Sequence, residues 1–386
     1  MRQTYFPGLD ARAFWSFAAI SPLSARSAEA VMRWHQALAA KGAAAFGDAI
    51  VAREALRAEL AGLLGGSGAD YALTSGTTAS VVGLARSIRW KDGDGIVLLS
   101  GEFPTNVLPW EQAARDFGLK VVRLAAEDFR VPGDGIERLS SILKNERIRL
   151  VACSAVQFQT GLALPIGAMA EVCQRYGALL AVDAIQAAGI VPMDLAVQGV
   201  DFAVGGGHKW LLGLDGLGWV YASERGKGEL GTAMAGWLSV VDGTKFLFDP
   251  DELEVEREPL PQPRVLESGS TSSAAVFATL EGVRLCREAG VRETFAWVQG
   301  LHDLVEGPLC ELGFESERAE VGRSGILSFR PPEGVVLRRL LGALGRRGVI
   351  LTIPDGRLRL APHFCSHEGE ARAIVEVMPE CLDEAR

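Results

Sequence analysis

Cysteine is sparse in this chain: Cys153, Cys173, Cys286, Cys310, Cys365 and Cys381 are scattered through 386 residues without framework spacing. That pattern argues against a disulfide scaffold and for reduced thiols in a cytoplasmic protein. Positive charge is short as well, the net charge being −9. A nucleic-acid binder needs a basic face to neutralise phosphates, and none is expected here. Long apolar runs are missing. The most apolar stretch, Gly177 to Met193, is broken by Asp183 and Gln186 and does not read as a membrane span. The first residues, MRQTYFPGLDARAFWSF, lack the continuous apolar core of a signal peptide. No Walker lysine follows a glycine loop, and no GxGxxG opens a helix after a strand, so nucleotide fingerprints are lacking. The segment His363-Phe364-Cys365-Ser366-His367 has metal-ligand residue types, but no further cluster completes four ligands and no metal is expected.

What is present is alternation. Residues 27–42 and 49–64 carry apolar positions at helical spacing. From about Asp70 short apolar runs take over, with helices fitting between them. Candidate strands are Tyr71–Leu73, Gly95–Leu99, Lys120–Leu124, Arg149–Cys153, Leu179–Val182, Phe202–Val204 and Gly218–Tyr221; candidate helices include Thr77–Arg89, Trp110–Phe117 and Ile166–Tyr176. Strand and helix in turn imply an α/β protein with a mostly parallel seven-stranded sheet, whose ligand sites lie at the carboxyl ends of the strands. The run Pro259–Pro263 can continue neither a helix nor a central strand and marks a connection. Beyond it a helix, Ser273–Glu288, leads to strands near Gly325–Phe329 and Arg357–Leu360, which suggests a smaller α/β C-terminal domain.

Two segments carry chemistry. In residues 179–222 Asp183 leaves the end of an apolar strand, and a second strand ends in glycines followed by His208 and Lys209. A partly buried lysine has a lowered pKa and suits Schiff-base formation, while a pyridinium ring needs a carboxylate near its nitrogen. Taken singly, the aspartate reads more readily as a helix cap or turn residue and the lysine as a solvated side chain. The second segment, LTSGTTAS at 73–80, places Thr77 and Thr78 at a helix start. Free N–H groups and hydroxyls there suit a phosphate monoester, or form an ordinary N-cap.

Together, Asp183-Ala-Ile-Gln186, Gly207-His208-Lys209-Trp210 and Thr74-Ser75-Gly76-Thr77-Thr78 resemble the class V aminotransferase family of fold-type I pyridoxal-phosphate enzymes, which includes cysteine desulfurases, kynureninases and isopenicillin N epimerase. The resemblance runs from Ser21-Pro22 to His363. It implies a large cofactor-binding domain, residues 20–262, and a small domain, 263–386, with residues 1–19 packing near the latter. It implies Lys209 as the Schiff-base lysine and proton shuttle, Asp183 as partner of the ring nitrogen, and Gln186 near the ring's phenolic oxygen. Thr77, Thr78 and His208 would bind phosphate, Phe103 would stack on the ring, and Gln157 would face the cofactor. Ser270 would reach the phosphate of a partner subunit, making a homodimer with composite sites. Arg359 would grip a substrate carboxylate.

Departures narrow the reaction. Gly206 stands where many relatives carry a phosphate-binding serine, and Phe103 where cysteine desulfurases carry a histidine. No cysteine lies between Gly342 and Arg359, so a persulfide route lacks its nucleophile. The expected activity is conversion of an amino acid or related amine through an external aldimine. Transamination is preferred, and β-elimination of the C–S lyase type or epimerisation is the alternative.

Overall fold

Short apolar runs bounded by turns form the strands of the computed structural model, which describes residues 2–232, 234–247, 253 and 256–386. In chain order, β1 (Ala13–Phe14) stands apart from a sheet made of β2 (Tyr71–Thr74), β3 (Gly95–Leu99), β4 (Lys120–Leu124), β5 (Ile148–Ser154), β6 (Leu179–Asp183), β7 (Phe202–Gly206) and β8 (Gly218–Ala222). Their spatial order is β2-β8-β7-β6-β5-β3-β4. Neighbours run parallel except at β8, which is antiparallel to both β2 and β7. The expected mostly parallel seven-stranded sheet is therefore present.

The strands read as continuous apolar runs because both faces are covered. Successive side chains of β6 enter opposite cores: Leu180 and Val182 join one, Leu179 and Ala181 the other. Helices Thr77–Ser87 and Leu108–Phe117 close the second core with Val81, Leu84, Trp110 and Ala113. Helices Phe46–Leu64, Asp134–Asn145 and Ile166–Arg175 close the first with Leu56, Leu60, Leu139 and Met169. At the sheet's edge β4 exposes Lys120 and Arg123, charges that discourage pairing with another strand.

A separate core lies in the C-terminal part, with β9 (Glu315–Ser316), β10 (Leu327–Arg330), β11 (Val349–Ile350) and β12 (Leu358–Leu360). An antiparallel sheet of order β12-β10-β9 forms there, and β11 pairs with β1 in parallel. Ala13 and Trp15 enter this core, and the Trp15 indole donates to buried Glu370 at 2.9 Å. The residue 262/263 division precedes a helix, Ser273–Ala289, that packs into the larger core through Val276, Leu280 and Val283. Among the described residues no helix is long and apolar enough to cross a membrane.

That helix also meets the turn after β7 at very short range. A methyl on Gly207 or Gly213 would fall 2.3 Å or 2.1 Å from the Thr279 hydroxyl, and one on Gly282 would fall 2.0 Å from the Leu211 carbonyl oxygen. Glycine is required at these positions for close approach, whatever its conformational cost. Gly282 gives a test whose sign is informative. In an exposed helix interior, Gly→Ala stabilises by about 1 kcal/mol. Here Gly282→Ala should instead destabilise by about 1–3 kcal/mol through overpacking, measured by urea unfolding. A gain in stability would show that the helix and the turn are not in hard contact.

Candidate active site

The carboxyl ends of the parallel strands and the loops that follow them enclose a cavity of about 740 Å³. Asp183, Lys209, Arg359, His208, Thr77 and Phe103 all line it, although they come from distant parts of the chain. Asp183 closes β6 and is buried; its Oδ1 accepts the Ile185 N–H at 2.9 Å. Burial pushes this carboxyl up to about 6, against the pull of that hydrogen bond and of Lys209, while Glu102 adds to the rise. Lys209 follows β7 through the glycine turn. Burial lowers its amine to about 8; Asp183 opposes the shift and Arg359 reinforces it. Its Nζ lies 5.8 Å from the centre of the Phe103 ring, which in turn meets Phe158 edge-on at 5.3 Å.

Arg359 projects from β12. Its Nε donates to Thr352 Oγ1 at 3.0 Å and its Nη1 to the Phe158 carbonyl at 2.9 Å. Burial lowers its guanidinium to about 10. Among the described residues no carboxylate lies within ion-pair distance of either Arg359 or Lys209, so Asp183 and Lys209 attract without touching.

Another part of the cavity wall suits an anion. Helix Thr77–Ser87 begins there with Gly76 at its N-cap and no side-chain cap, leaving the first N–H groups of the helix without intrahelical acceptors. Thr77 Oγ1 is buried and has no hydrogen-bond partner among the described residues. The Thr78 hydroxyl meets that of Thr105 at 2.8 Å. Burial, reinforced by Lys209, holds His208 below the usual imidazole range. A methyl on Gly206 would lie 2.8 Å from Thr77 Oγ1, so the threonine hydroxyl fills the space beside the bare glycine.

The remaining expected residues are placed differently. Gln186 lines the cavity, but its amide oxygen accepts the Trp210 indole N–H at 2.8 Å and its amide nitrogen donates to the Ala18 carbonyl at 3.0 Å. Gln157 is not among the lining residues; it donates to Glu102 at 3.0 Å. Ser270 lies in a neighbouring cavity of about 130 Å³, which shares Ser75 and Ala79 with the large one.

The motifs that mark Asp183 and Lys209 pass over Glu102. Its carboxylate accepts from the Ser154 N–H at 2.8 Å, the Ser154 hydroxyl, Gln157 and, at 3.1 Å, Asn106. Burial raises its pKa against these hydrogen bonds. An acidic residue just beyond an apolar strand is the signal that drew attention to Asp183, and Glu102 carries the same signal after β3. Ala18, Ala19, Phe158 and Pro354 also form walls. Small and apolar residue types give no warning of such a position.

A depressed amine, a buried carboxylate that a cationic ring nitrogen would re-ionise, and an anion cup with an unpartnered hydroxyl fit pyridoxal phosphate. Fold and cavity together define a pyridoxal-phosphate-dependent enzyme of fold type I. The chain belongs to the aminotransferase class-V family, whose model matches residues 18–356. Its relatives include an uncharacterized aminotransferase, YcbU, of Bacillus subtilis, 26% identical over 96% of this chain and 95% of the relative. The isopenicillin N epimerase of Amycolatopsis lactamdurans is 31% identical over 84% of this chain and 83% of its own. Among solved structures, the cystine C-S lyase C-DES in complex with cysteine persulfide superposes with a TM-score of 0.87 at 21% identity, covering 99% of this chain and all of that one. The cysteine desulfurase CsdA of Escherichia coli gives 0.85 at 22% identity, covering 100% and 98%.

The Glu102 cluster yields a stability test. Glu102→Leu removes the acceptor from several buried donors at once and should cost about 2–4 kcal/mol in urea unfolding. A loss under about 0.5 kcal/mol would mean that those donors find water instead.

Proposed function

We propose that this enzyme acts on an α-amino acid and that its reaction is transamination. The observation that carries the reading is the convergence of Lys209, Asp183 and Arg359 on one cavity whose walls, among the described residues, include no cysteine. When bound, pyridoxal phosphate supplies the carbonyl and the electron-withdrawing ring that transamination needs. The chain supplies the rest. Lys209, lowered to about 8, is partly neutral near pH 7; it can attach the cofactor and afterwards carry a proton between neighbouring carbons. Asp183 favours a positive charge beside it, while Thr77, Thr78 and His208 hold the phosphate. Phe103 offers a ring face and no titratable group. Arg359 presents a buried guanidinium with room for a carboxylate, the pairing that its planar fork favours.

Gln157 and Gln186 fit this reading as residues that fix their neighbours, given where their amides are spent. Ser270, exposed in the adjoining cavity, completes the phosphate cup of a second copy in a homodimer. Among the described residues the six cysteines form no disulfide, which suits a reducing compartment, and the cytoplasm is the proposed location. A β-eliminating lyase is the second reading, because the same lysine suffices for loss of a β-substituent.

Mixing the holoenzyme with amino acids should convert the cofactor to its pyridoxamine form, and a keto acid should restore it. Pyruvate and ammonia from a β-substituted alanine, with no pyridoxamine form, would establish the lyase instead. After borohydride reduction the cofactor adduct should map to Lys209 and be lost in Lys209→Ala; an adduct on Lys227 or Lys245 would refute the assignment. Neutral amine is the nucleophile, so cofactor capture by apoprotein should quicken about tenfold per pH unit up to pH 8 and level off above it. A rate still climbing between pH 9 and 10 would mean an unperturbed lysine. Arg359→Gln should raise KM for amino acids by about tenfold or more, with cofactor attachment intact.

A further inference from the structure

Once the groups assigned to cofactor and carboxylate are set aside, the rest of the cavity wall is, among the described residues, mostly apolar, with Ala18, Ala19, Val156, Phe158, Ile185 and Pro354. Three lining hydroxyls remain: Ser75, which the neighbouring cavity shares, and Thr105 and Ser154, both of which are engaged. Thr105 meets Thr78 at 2.8 Å, and Ser154 donates to Glu102. Among the described residues of this chain, the titratable side chains on the wall are Asp183, His208, Lys209 and Arg359. Three of them serve the cofactor, which leaves one guanidinium, and a single guanidinium neutralises a single carboxylate.

We infer that the substrate is an α-amino acid with an uncharged, predominantly apolar side chain, and that the site rejects dicarboxylic and dibasic amino acids. This rests on the reading of Arg359 as the α-carboxylate partner. A second carboxylate would be stripped of water against Val156, Phe158 and Ile185, with no further cation to meet it among the described wall residues of this chain. A side-chain ammonium would fare no better, since Asp183 is sealed at the end of β6 and faces the cofactor. Burying an unpaired charge is far costlier than burying a methylene chain of the same length. Methionine and leucine replace the lost water by contact with these walls; glutamate and lysine cannot.

The experiment is a titration of the holoenzyme with L-methionine, L-leucine, L-phenylalanine, L-glutamate and L-lysine. The readout is half-saturation of the change in cofactor absorbance, which does not depend on the reaction that follows. Methionine and leucine should half-saturate at concentrations at least about a hundredfold below glutamate and lysine. Ala19→Arg, on a partly exposed wall position, should narrow the gap between glutamate and methionine by about tenfold or more, by supplying the missing cation. Glutamate or lysine binding as well as methionine in the wild type would overturn the inference while leaving an amino-acid enzyme in place. Amines without a carboxylate binding as tightly as methionine, or none of the panel altering the absorbance, would overturn the underlying reading instead.

Discussion

Two kinds of buried charge coexist in this fold, and the difference between them organises everything else. Glu267 is closed on Arg57 and Arg53, with Glu267 Oε1 also taking the N–H of Leu73, so a buried carboxylate is fully satisfied within the chain. Asp183, Lys209 and Arg359 are held in a common cavity yet kept out of ion-pair contact with one another. Each titrates away from its ordinary value because burial penalises its charged form by more than its neighbours offset. Such an arrangement is unfavourable for the empty protein and favourable for a ligand that brings the missing charges. Glu267 behaves as structure. The other three behave as a site.

Holding charges apart in an apolar cavity requires a rigid frame, and the frame converges on the turn after β7. The Trp210 carbonyl accepts from His363 at 3.0 Å and from the Cys286 thiol, while the Trp210 indole is tied to Gln186. The Phe364 N–H donates to His363 Nδ1, which makes Nε2 the donor to Trp210. Burial lowers this imidazole to about 4, so it stays neutral and its geometry is insensitive to physiological pH. Leu212 takes a left-handed backbone conformation, φ 55°, strain that the surrounding contacts sustain. The Ser21 N–H reaches the His208 carbonyl at 2.9 Å. Lys209 therefore sits on a turn gripped from three directions.

Much of this was legible in the residues. The sheet strands announced themselves as apolar runs between turns. Asp183 and Lys209 stood out because a charged residue at the end of such a run is costly unless it is used. Thr77 and Thr78 were legible through the helix start they mark. What escaped depends on tertiary direction. Nothing local says that Gln157 turns toward Glu102, or that the Gln186 amide is spent on Trp210 and Ala18. Strands β1 and β11 have two residues each, too short for periodicity to reveal, and their partners are hundreds of residues apart in the chain. The helix Ser273–Ala289 was recognisable as a helix, but its choice of core was set by glycines on the far side of the contact.

The N-terminal segment joins the parts in a way that bears on the site. Trp15 is anchored in the C-terminal core, the Phe17 N–H donates to the Ala361 carbonyl, and the Ala361 N–H donates to that of Trp15. Ala18 and Ala19 follow directly as cavity wall, and Arg359 lies two residues from Ala361 on the paired strand. The large core holds the same two places, since the Gln186 amide donates to the Ala18 carbonyl and Arg359 donates to the Phe158 carbonyl. Part of the apolar wall and the guanidinium are thus stitched to both cores at once. A change in the packing of either core reaches both the surface that reads a substrate's shape and the group that reads its charge.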